Sequence, residues 1–164
     1  MSAQPAADDA GAELLRRFFR RYTASAAVVT AAGGGRPVGF TATSLTSVSL
    51  DPPLLSFGIA RTASCWPVIE RAEHFGANLL SDGQVHLARL FARSGADRFG
   101  RGTSWSYGPF GVPLLSDVLA WAVCRVIAQV PAGDHVIVLG EPVAVDQGPG
   151  TPLVHHNGNY HPLH

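Results

Sequence analysis

Residues 39–53 read GFTATSLTSVSLDPP, and the apolar run LLSFGIA follows at residues 54–60. Hydroxyl side chains occupy six of the nine positions from Thr41 to Ser49, namely Thr41, Thr43, Ser44, Thr46, Ser47 and Ser49. A buried hydroxyl without a hydrogen-bond partner costs roughly 1–3 kcal/mol. This stretch therefore needs partners, which either the neighbouring backbone or a polar ligand must supply.

Length and composition narrow the classes of protein that fit the chain. The 164 residues, 46% of them apolar, suit one domain with a substantial core. The 12 basic and 12 acidic residues give zero net charge, so a nucleic-acid partner is not expected. We find no apolar run of about 18 residues and no signal-peptide core, which predicts a cytoplasmic protein without a membrane partner. Residues 1–11 are expected to form a disordered tail and residues 12–164 the domain.

Cysteine and histidine positions give little sign of a metal site. Cys65 and Cys124 are far apart, which favours two buried thiols over a disulfide, although a disulfide stays open. Four of the seven histidines lie in the last ten residues, but without a standard ligand spacing or a neighbouring carboxylate. No metal is expected at these residues: His155, His156, His161 and His164.

Hydrophobic periodicity predicts mostly strands. A helix is expected over 13–22, with an apolar face opposite four arginines; a solvated arginine face is favoured over a phosphate or acidic partner. Strands over 27–32 and 37–40 flank the turn Gly33–Gly35, which lacks the Gly-Lys-Ser/Thr of a nucleotide loop. Further strands are expected over 54–60, 74–80, 119–130, 135–145 and 151–164. Helices are expected over 62–71 and 81–92, the second with a Ser81–Gln84 capping box, and an irregular loop over 93–113.

This order, with strand mostly following strand, indicates an antiparallel barrel with peripheral helices and not a dinucleotide-binding α/β fold. The sequence has no G-x-S-x-G motif and no paired carboxylates, so hydrolytic chemistry is not indicated. His135 lies in the turn Gly133-Asp134-His135 before an apolar strand. From its position alone, His135 is either a solvent-facing turn residue or a site residue.

Several motifs occur together in a characteristic order. They are the stretch 39–53, Arg61-Thr62-Ala63-Ser64 with Trp66-Pro67, Phe75 to Leu80, Arg98-Phe99, Gly133-Asp134-His135, Leu139 to Val143, and the closing segment from Pro152 to Tyr160. With these motifs the chain resembles the flavin reductase-like family, the small partners of two-component flavin monooxygenases. The resemblance implies a mostly β fold, an antiparallel split β-barrel that dimerises and binds flavin.

The resemblance also implies a set of flavin-binding residues. The isoalloxazine ring and ribityl chain would lie along residues 43–49, with Thr41 and Thr46 more structural. Arg61 and Ser64 would face the phosphate, Asn78 and Leu79 would line the flavin from the adjacent strand, and Arg98 and Phe99 would close the site. His135 would orient the nicotinamide or bond the ring. The complete set is Thr43, Ser44, Leu45, Ser47, Val48, Ser49, Ala60, Arg61, Ser64, Asn78, Leu79, Arg98, Phe99 and His135.

The implied reaction is hydride transfer from NADH or NADPH to FMN or FAD, which supplies reduced flavin to a partner monooxygenase. Two alternatives stay open. One is a flavin-binding protein without catalytic activity. The other is an oxidase of the pyridoxine-phosphate type on the same barrel, which needs a second anion site; residues 93–101 are the candidate for it.

Overall fold

A seven-stranded antiparallel sheet forms the centre of the molecule, and the computed structural model describes residues 4–163 of the chain. Three α-helices and short 3₁₀ turns surround the sheet, which confirms a mostly β fold. The helices are α1 (Gln4–Phe19), α2 (Trp66–Arg71) and α3 (Val85–Ala92). The strands are β1 (Ala24–Ser25), β2 (Ala27–Gly33), β3 (Arg36–Ala42), β4 (Thr46–Leu50), β5 (Pro53–Ala60), β6 (His74–Leu79), β7 (Trp105–Tyr107), β8 (Pro113–Leu115), β9 (Ala120–Ala132), β10 (His135–Gln147), β11 (Leu153–His156) and β12 (Asn159–Pro162).

The connection between the two edge strands requires the sheet to curl. The strand order is β3-β2-β6-β9-β10-β5-β4, and the chain passes from β3 to β4 through Thr43, Ser44 and Leu45. Such a connection spans about 14 Å at most. Seven flat strands would hold their edges about 29 Å apart. The sheet therefore closes into a barrel that is left open along one seam, the split barrel expected from the sequence.

The barrel interior is filled by aromatic and β-branched side chains. Phe57 and Phe75 meet edge to face with their ring centroids 4.9 Å apart. Residues 27–31 of β2 are all buried, because one face of the strand lines this interior and the other packs under α3. The second core includes Leu87 and Phe91 of α3 and Leu153 of β11. Burying such side chains stabilises the fold by roughly 1.5–3 kcal/mol each.

Most of the expected elements are present, with differences at short elements. The capping box of residues 81–84 is formed, and Gln84 accepts a hydrogen bond from the Ser81 amide at 3.0 Å. The segment 93–113, expected to be irregular, contains β7, whose antiparallel partner β8 begins at Pro113. The final segment forms the hairpin β11–β12 instead of one strand. Three- and four-residue strands are too short for alternation to reveal them.

The N-terminal helix has different bounds from those expected. Helix α1 runs from Gln4 to Phe19 where a helix over 13–22 was expected, and Met1–Ala3 and His164 lie outside the described residues. Cys65 and Cys124 are both buried and unbonded to each other, as favoured. Within residues 4–163, no helix combines the length and the apolar character needed to cross a bilayer.

Candidate functional site

A cleft of about 320 Å³ lies along the seam of the barrel, and we call it the seam cleft. Its walls are the end of β3 with the following turn, the end of β5, and His135 at the start of β10. The lining residues are Phe40, Thr41, Ala42, Thr43, Ser44, Gly58, Ile59, Ala60, Ala63 and His135. Thus four of the residues expected at the flavin site come together here: Thr43, Ser44, Ala60 and His135.

Ser44 bridges the seam to β5. Its Oγ accepts a hydrogen bond from the Gly58 amide at 2.9 Å and lies 3.3 Å from the Gly58 carbonyl oxygen, to which it donates. Strand β4 pairs with β5 only as far as Ser56, so Ser44 takes the place of a strand partner for Gly58. The hydroxyl therefore has a structural partner and still faces the cleft.

Gly58 leaves an open floor between Ser44 and His135. A Cβ atom at this position would lie 3.7 Å from Ser44 Oγ and 3.9 Å from His135 Cδ2. Both distances are ordinary van der Waals contacts, so a methyl group would fill the space without distorting the strand. Gly58 thus leaves a shallow depression between the side chains of Ser44 and His135, which we call the cradle.

His135 is oriented by the residue before it. Its Nδ1 lies 2.7 Å from Asp134 Oδ1, and the hydrogen bond with His135 lowers the pKa of Asp134. The turn is held by Arg61, whose amide donates to the Asp134 carbonyl and whose guanidinium donates to the Gly133 carbonyl at 2.9 Å. Gly133 has φ of 64°, a conformation that favours glycine. The expected phosphate ligand Arg61 thus also has a structural role, and Asp134 is a site residue that the sequence reading missed.

A second cleft, the loop cleft, has a volume of about 530 Å³. The first half of β3 and the turn after β5 line it, and Phe40 and Ala63, the chain neighbours of its lining residues Gly39 and Ser64, line the seam cleft. Three expected residues line it: Ser64, Arg98 and Phe99. Arg36 also lines it and was missed, because an exposed arginine after a glycine turn carries no distinctive signal.

Arg98 ties the 93–103 loop to the barrel. Its Nη1 donates to the Gly39 carbonyl at 2.6 Å and its Nη2 to the Arg93 carbonyl at 2.9 Å. Two of the N–H donors of the guanidinium are thus already used. Burial raises the pKa of the nearby Cys65 thiol, and the charge of Arg98 partly offsets this. Cys65 is therefore an unreactive wall of the cleft.

Four other residues expected at the flavin site line neither the seam cleft nor the loop cleft. Leu45, Ser47, Ser49 and Leu79 line a third cleft of about 340 Å³ between β4, β5 and the start of β2. Val48 is half exposed and lines none of these clefts. The register with β5 shifts between Ser47 and Ser49, so a bulge interrupts β4 along this cleft. The structure therefore divides the expected flavin wall between two clefts.

Thr41 and Thr46 have local partners. Thr41 Oγ1 donates to the Ala88 carbonyl at 2.6 Å and so joins β3 to α3. Thr46 Oγ1 lies 3.4 Å from the Ser47 carbonyl oxygen. Both contacts agree with the structural roles expected for these two hydroxyls.

Asn78 does not reach either cleft. It is fully buried, and its Nδ2 donates to the Val28 carbonyl at 3.0 Å and to Thr30 Oγ1 at 3.2 Å. Its Oδ1 accepts a hydrogen bond from the Leu115 amide at 3.0 Å. The expectation that Asn78 lines the flavin is therefore not supported, because its polar atoms are used inside the protein.

The histidines near the C-terminus lie on the hairpin β11–β12. Burial lowers the pKa of His155, and the charges of His156 and His161 lower it further. Within residues 4–163, no group of three or more His, Cys, Asp or Glu side chains is arranged to hold a metal ion.

Residues 19–164 match the flavin reductase like domain family. The chain belongs to this family. The match covers the barrel and both clefts, and it leaves out most of α1.

Individual relatives extend this result. An NADH:FMN oxidoreductase of Rhodococcus qingshengii is 41% identical over 151 residues, which cover 89% of this chain and 79% of that protein. The reductase component of a flavin-dependent trigonelline monooxygenase of Acinetobacter baylyi is 42% identical over 107 residues. That second match covers 65% of this chain and 34% of the longer relative.

Solved structures share the fold. The NADH:FAD oxidoreductase of Streptomyces globisporus C-1027, in complex with NAD and FAD fragments, superposes with a TM-score of 0.85. It is 32% identical, and the match covers 92% of this chain and 91% of that one.

Proposed function

We propose that this chain is an NAD(P)H:flavin oxidoreductase that transfers hydride from NADH or NADPH to FMN or FAD. The observation that carries the proposal is the seam cleft, in which Ser44 and His135 converge over the bare floor at Gly58. The relatives are named as NADH:FMN and NADH:FAD oxidoreductases, which supports the same reaction here.

The residues of the seam cleft fit a flavin ring. A planar ring needs a flat surface, and Gly58 and Ala60 supply one with at most a methyl group. The ring also has a polar edge, and the exposed hydroxyls of Thr43 and Ser44 offer donors and acceptors. Gly58 matters most, because any side chain there would fill the cradle.

The loop cleft suits the phosphate end of the flavin. Arg36, Arg98 and Ser64 line it, and Arg61 lies at the turn between the clefts. Guanidinium groups and a hydroxyl are common phosphate ligands. A flavin spanning the two clefts would put its ring at the seam and its phosphate beside the 93–103 loop.

The main role of the cleft residues is to position the flavin and the nicotinamide, and acid–base chemistry is secondary. Bound flavin supplies the ring that accepts the hydride. Asp134 fixes His135 through Nδ1, which leaves Nε2 as the ring nitrogen that can bond the nicotinamide amide or the flavin edge. Cys65 stays a neutral thiol because burial raises its pKa, so it does not compete as a nucleophile.

Three further statements belong to the proposal. The reduced flavin passes to a separate flavin-dependent monooxygenase, in line with the relative that is a monooxygenase reductase component. The enzyme works as a homodimer, in line with the resemblance noted from its motifs. It acts in the cytoplasm, which stays a prediction from the sequence.

A steady-state assay of NADH and NADPH oxidation with FMN, FAD and riboflavin tests the function. We expect turnover with at least one phosphorylated flavin, and weaker binding of riboflavin because it lacks the phosphate. His135→Asn should lower kcat/KM by about tenfold or more, the range for one lost positioned hydrogen bond. His86→Asn, on the exposed side of α3, is the matched control and should leave kcat/KM unchanged.

The same assay separates the alternatives. Tight flavin binding without oxidation of either nucleotide would contradict the proposal and indicate a non-catalytic flavin protein. Oxidation of a pyridoxine-type phosphate in the absence of NADH would contradict it in favour of the oxidase.

A further inference from the structure

The loop cleft is larger than a single phosphate group requires. Its volume is about 530 Å³, against about 320 Å³ for the seam cleft. Clefts of roughly 300–1,000 Å³ hold whole drug-sized ligands. A phosphate group has only the size of a few water molecules, each of about 30 Å³ in the liquid. The one phosphate of FMN would therefore leave most of the loop cleft unfilled.

Arg36 is the arginine of this cleft whose side chain is not already engaged. Arg98 donates to two backbone carbonyls, and Arg61, at the turn after β5, donates to the Gly133 carbonyl. Arg36 is exposed at the first position of β3, and within residues 4–163 no hydrogen bond or ion pair engages its guanidinium. All of its side-chain donors are therefore available to an anion.

The charged residues that line the loop cleft favour an anion. They are two arginines, Arg36 and Arg98, and one carboxylate, Asp97. The carboxylate of Asp97 folds back over its own loop, where a Cβ atom at Gly100 would collide with it. None of the ion pairs among the described residues joins Asp97 to Arg36. The positive charge of Arg36 is therefore not neutralised inside the cleft.

The position of Arg36 along β3 separates it from the flavin ring by more than one ribityl chain. Strand alternation puts Arg36 on the same face as Phe40, which lines the seam cleft. Their Cα atoms are four residues apart, or about 13 Å along a strand. Ser64, in contrast, directly follows Ala63 of the seam cleft. A phosphate one ribityl chain from the ring would therefore meet Ser64 first, and a second phosphate would come closer to Arg36.

An aromatic side chain forms another part of the cleft wall. Trp105 lines the cleft and is only partly buried. Its ring packs edge to face on Phe99, with centroids 5.3 Å apart, and its indole nitrogen donates to the Phe99 carbonyl at 3.3 Å. A fixed aromatic ring is a surface on which nucleic-acid bases stack. The cleft thus offers an adenine a stacking partner as well as a free guanidinium for a phosphate.

We propose that the loop cleft is the subsite for the adenylate half of FAD, with Arg36 binding the second phosphate and Trp105 stacking on the adenine. FMN ends at the first phosphate, so Arg36 is the specificity-determining residue that makes this chain prefer FAD to FMN. This inference rests on the proposed function, because it takes the seam cleft as the place of the flavin ring. NADH also carries an adenylate half, and the test separates the two sources.

Flavin fluorescence titration without NADH or NADPH measures the preference directly. The wild-type chain should bind FAD at least about tenfold more tightly than FMN, the range for one charge-assisted contact. Arg36→Ala should raise the Kd for FAD about tenfold and the Kd for FMN less than about twofold. Arg36→Lys keeps the charge and should retain part of the preference. Arg71→Ala removes an exposed arginine that lines none of the three clefts, and both Kd values should stay unchanged.

A second variant tests the adenine contact independently of charge. Trp105→Leu should raise the Kd for FAD about fivefold or more, because the stacking partner is lost, and leave the Kd for FMN unchanged. Native circular dichroism checks that the variant has folded. If Trp105→Leu does not fold, the titrations of the Arg36 variants decide.

The outcomes separate this inference from the enzymatic function. Equal wild-type Kd values for FMN and FAD would overturn the inference. An equal loss for both flavins in Arg36→Ala would also overturn it, because Arg36 would then bind the phosphate that they share. Unchanged flavin Kd values with a weaker Kd for NADH would overturn it in favour of a nicotinamide nucleotide in this cleft. A chain that prefers FAD through Arg36 but oxidises neither NADH nor NADPH would uphold the inference and contradict the enzymatic function.

Discussion

Ser44 and Gly58 form a hydrogen-bonded contact across the seam of the split barrel, with Ser44 Oγ 2.9 Å from the Gly58 amide nitrogen. The contact lies where β5 has no further partner from β4. One residue thus stabilises the open seam and lines the cleft that the seam creates.

Replacing Ser44 should affect both stability and binding. Ser44→Ala removes the acceptor of the Gly58 amide, and we expect a loss of about 1 kcal/mol in the free energy of unfolding. The flavin Kd should rise as well. Urea unfolding and flavin titration check the two effects, with Ser106→Ala on the exposed strand β7 as the control. If Ser44→Ala had the same free energy of unfolding and the same flavin Kd as the wild type, the contact would contribute to neither stability nor binding.

The pair His135–Asp134 gives a second prediction. Asp134→Ala should lower kcat/KM for NADH about three- to tenfold, because the ring loses the acceptor that orients it. Asp134→Asn keeps an acceptor oxygen and should recover much of the loss. The hydrogen bond from His135 lowers the pKa of Asp134, so the carboxylate acceptor is present at neutral pH, where the assay is run. Equal activity of Asp134→Ala and wild type would contradict the positioning role; Asp146→Ala is the control.

Asn78 should matter for stability and not for flavin contact. Asn78→Ala leaves the Leu115 amide and the Val28 carbonyl short of a partner in the core, and we expect a loss of about 2–4 kcal/mol. Asn159→Ala, on the exposed strand β12, should cost less than about 0.5 kcal/mol. Urea unfolding measures both. A stable Asn78→Ala protein that had lost flavin would restore Asn78 as a ligand.

The hairpin β11–β12 should make stability fall in mild acid. The pKa of His155 is lowered in the folded protein, first by burial and then by the charges of His156 and His161. As the pH falls through 6.5, the unfolded chain therefore binds a proton before the folded one does. Stability should decrease from pH 6.5 down to the folded pKa and then level off. His155→Gln should flatten this decrease in urea unfolding at pH 8, 6.5 and 5; an identical pH profile would contradict it.

The sequence predicts the barrel well because the relevant signals are local. The runs 27–32 and 54–60 are apolar enough to predict buried strands, and the capping box joins Ser81 to Gln84, only three positions along the chain. The split in the barrel is expected only from the family resemblance. Its physical reason, a three-residue link between the two edge strands β3 and β4, needs the strand order that the structure supplies.

The features that sequence reading misses depend on distant contacts. Asn78 sits in an apolar strand and is bonded to residues 37–50 positions away, which no local pattern encodes. The chain passes from the seam cleft to the third cleft between Ser44 and Leu45, so Ser47 and Ser49 line a cleft different from that of Thr43 and Ser44. Arg36 lines the loop cleft because it is the first residue of β3, and its position in the sequence does not indicate this.

Flavin titration of Gly58→Ala tests the central claim most directly, namely that the seam cleft holds the flavin ring. The added methyl group meets Ser44 Oγ and His135 Cδ2 at 3.7 and 3.9 Å, so the barrel should fold with at least wild-type stability. The methyl group nevertheless fills the cradle, and the Kd for FMN and FAD should rise at least tenfold. Gly83→Ala, which meets no atom within 4 Å, should leave the Kd unchanged. A folded Gly58→Ala protein that binds flavin as tightly as wild type would contradict the account.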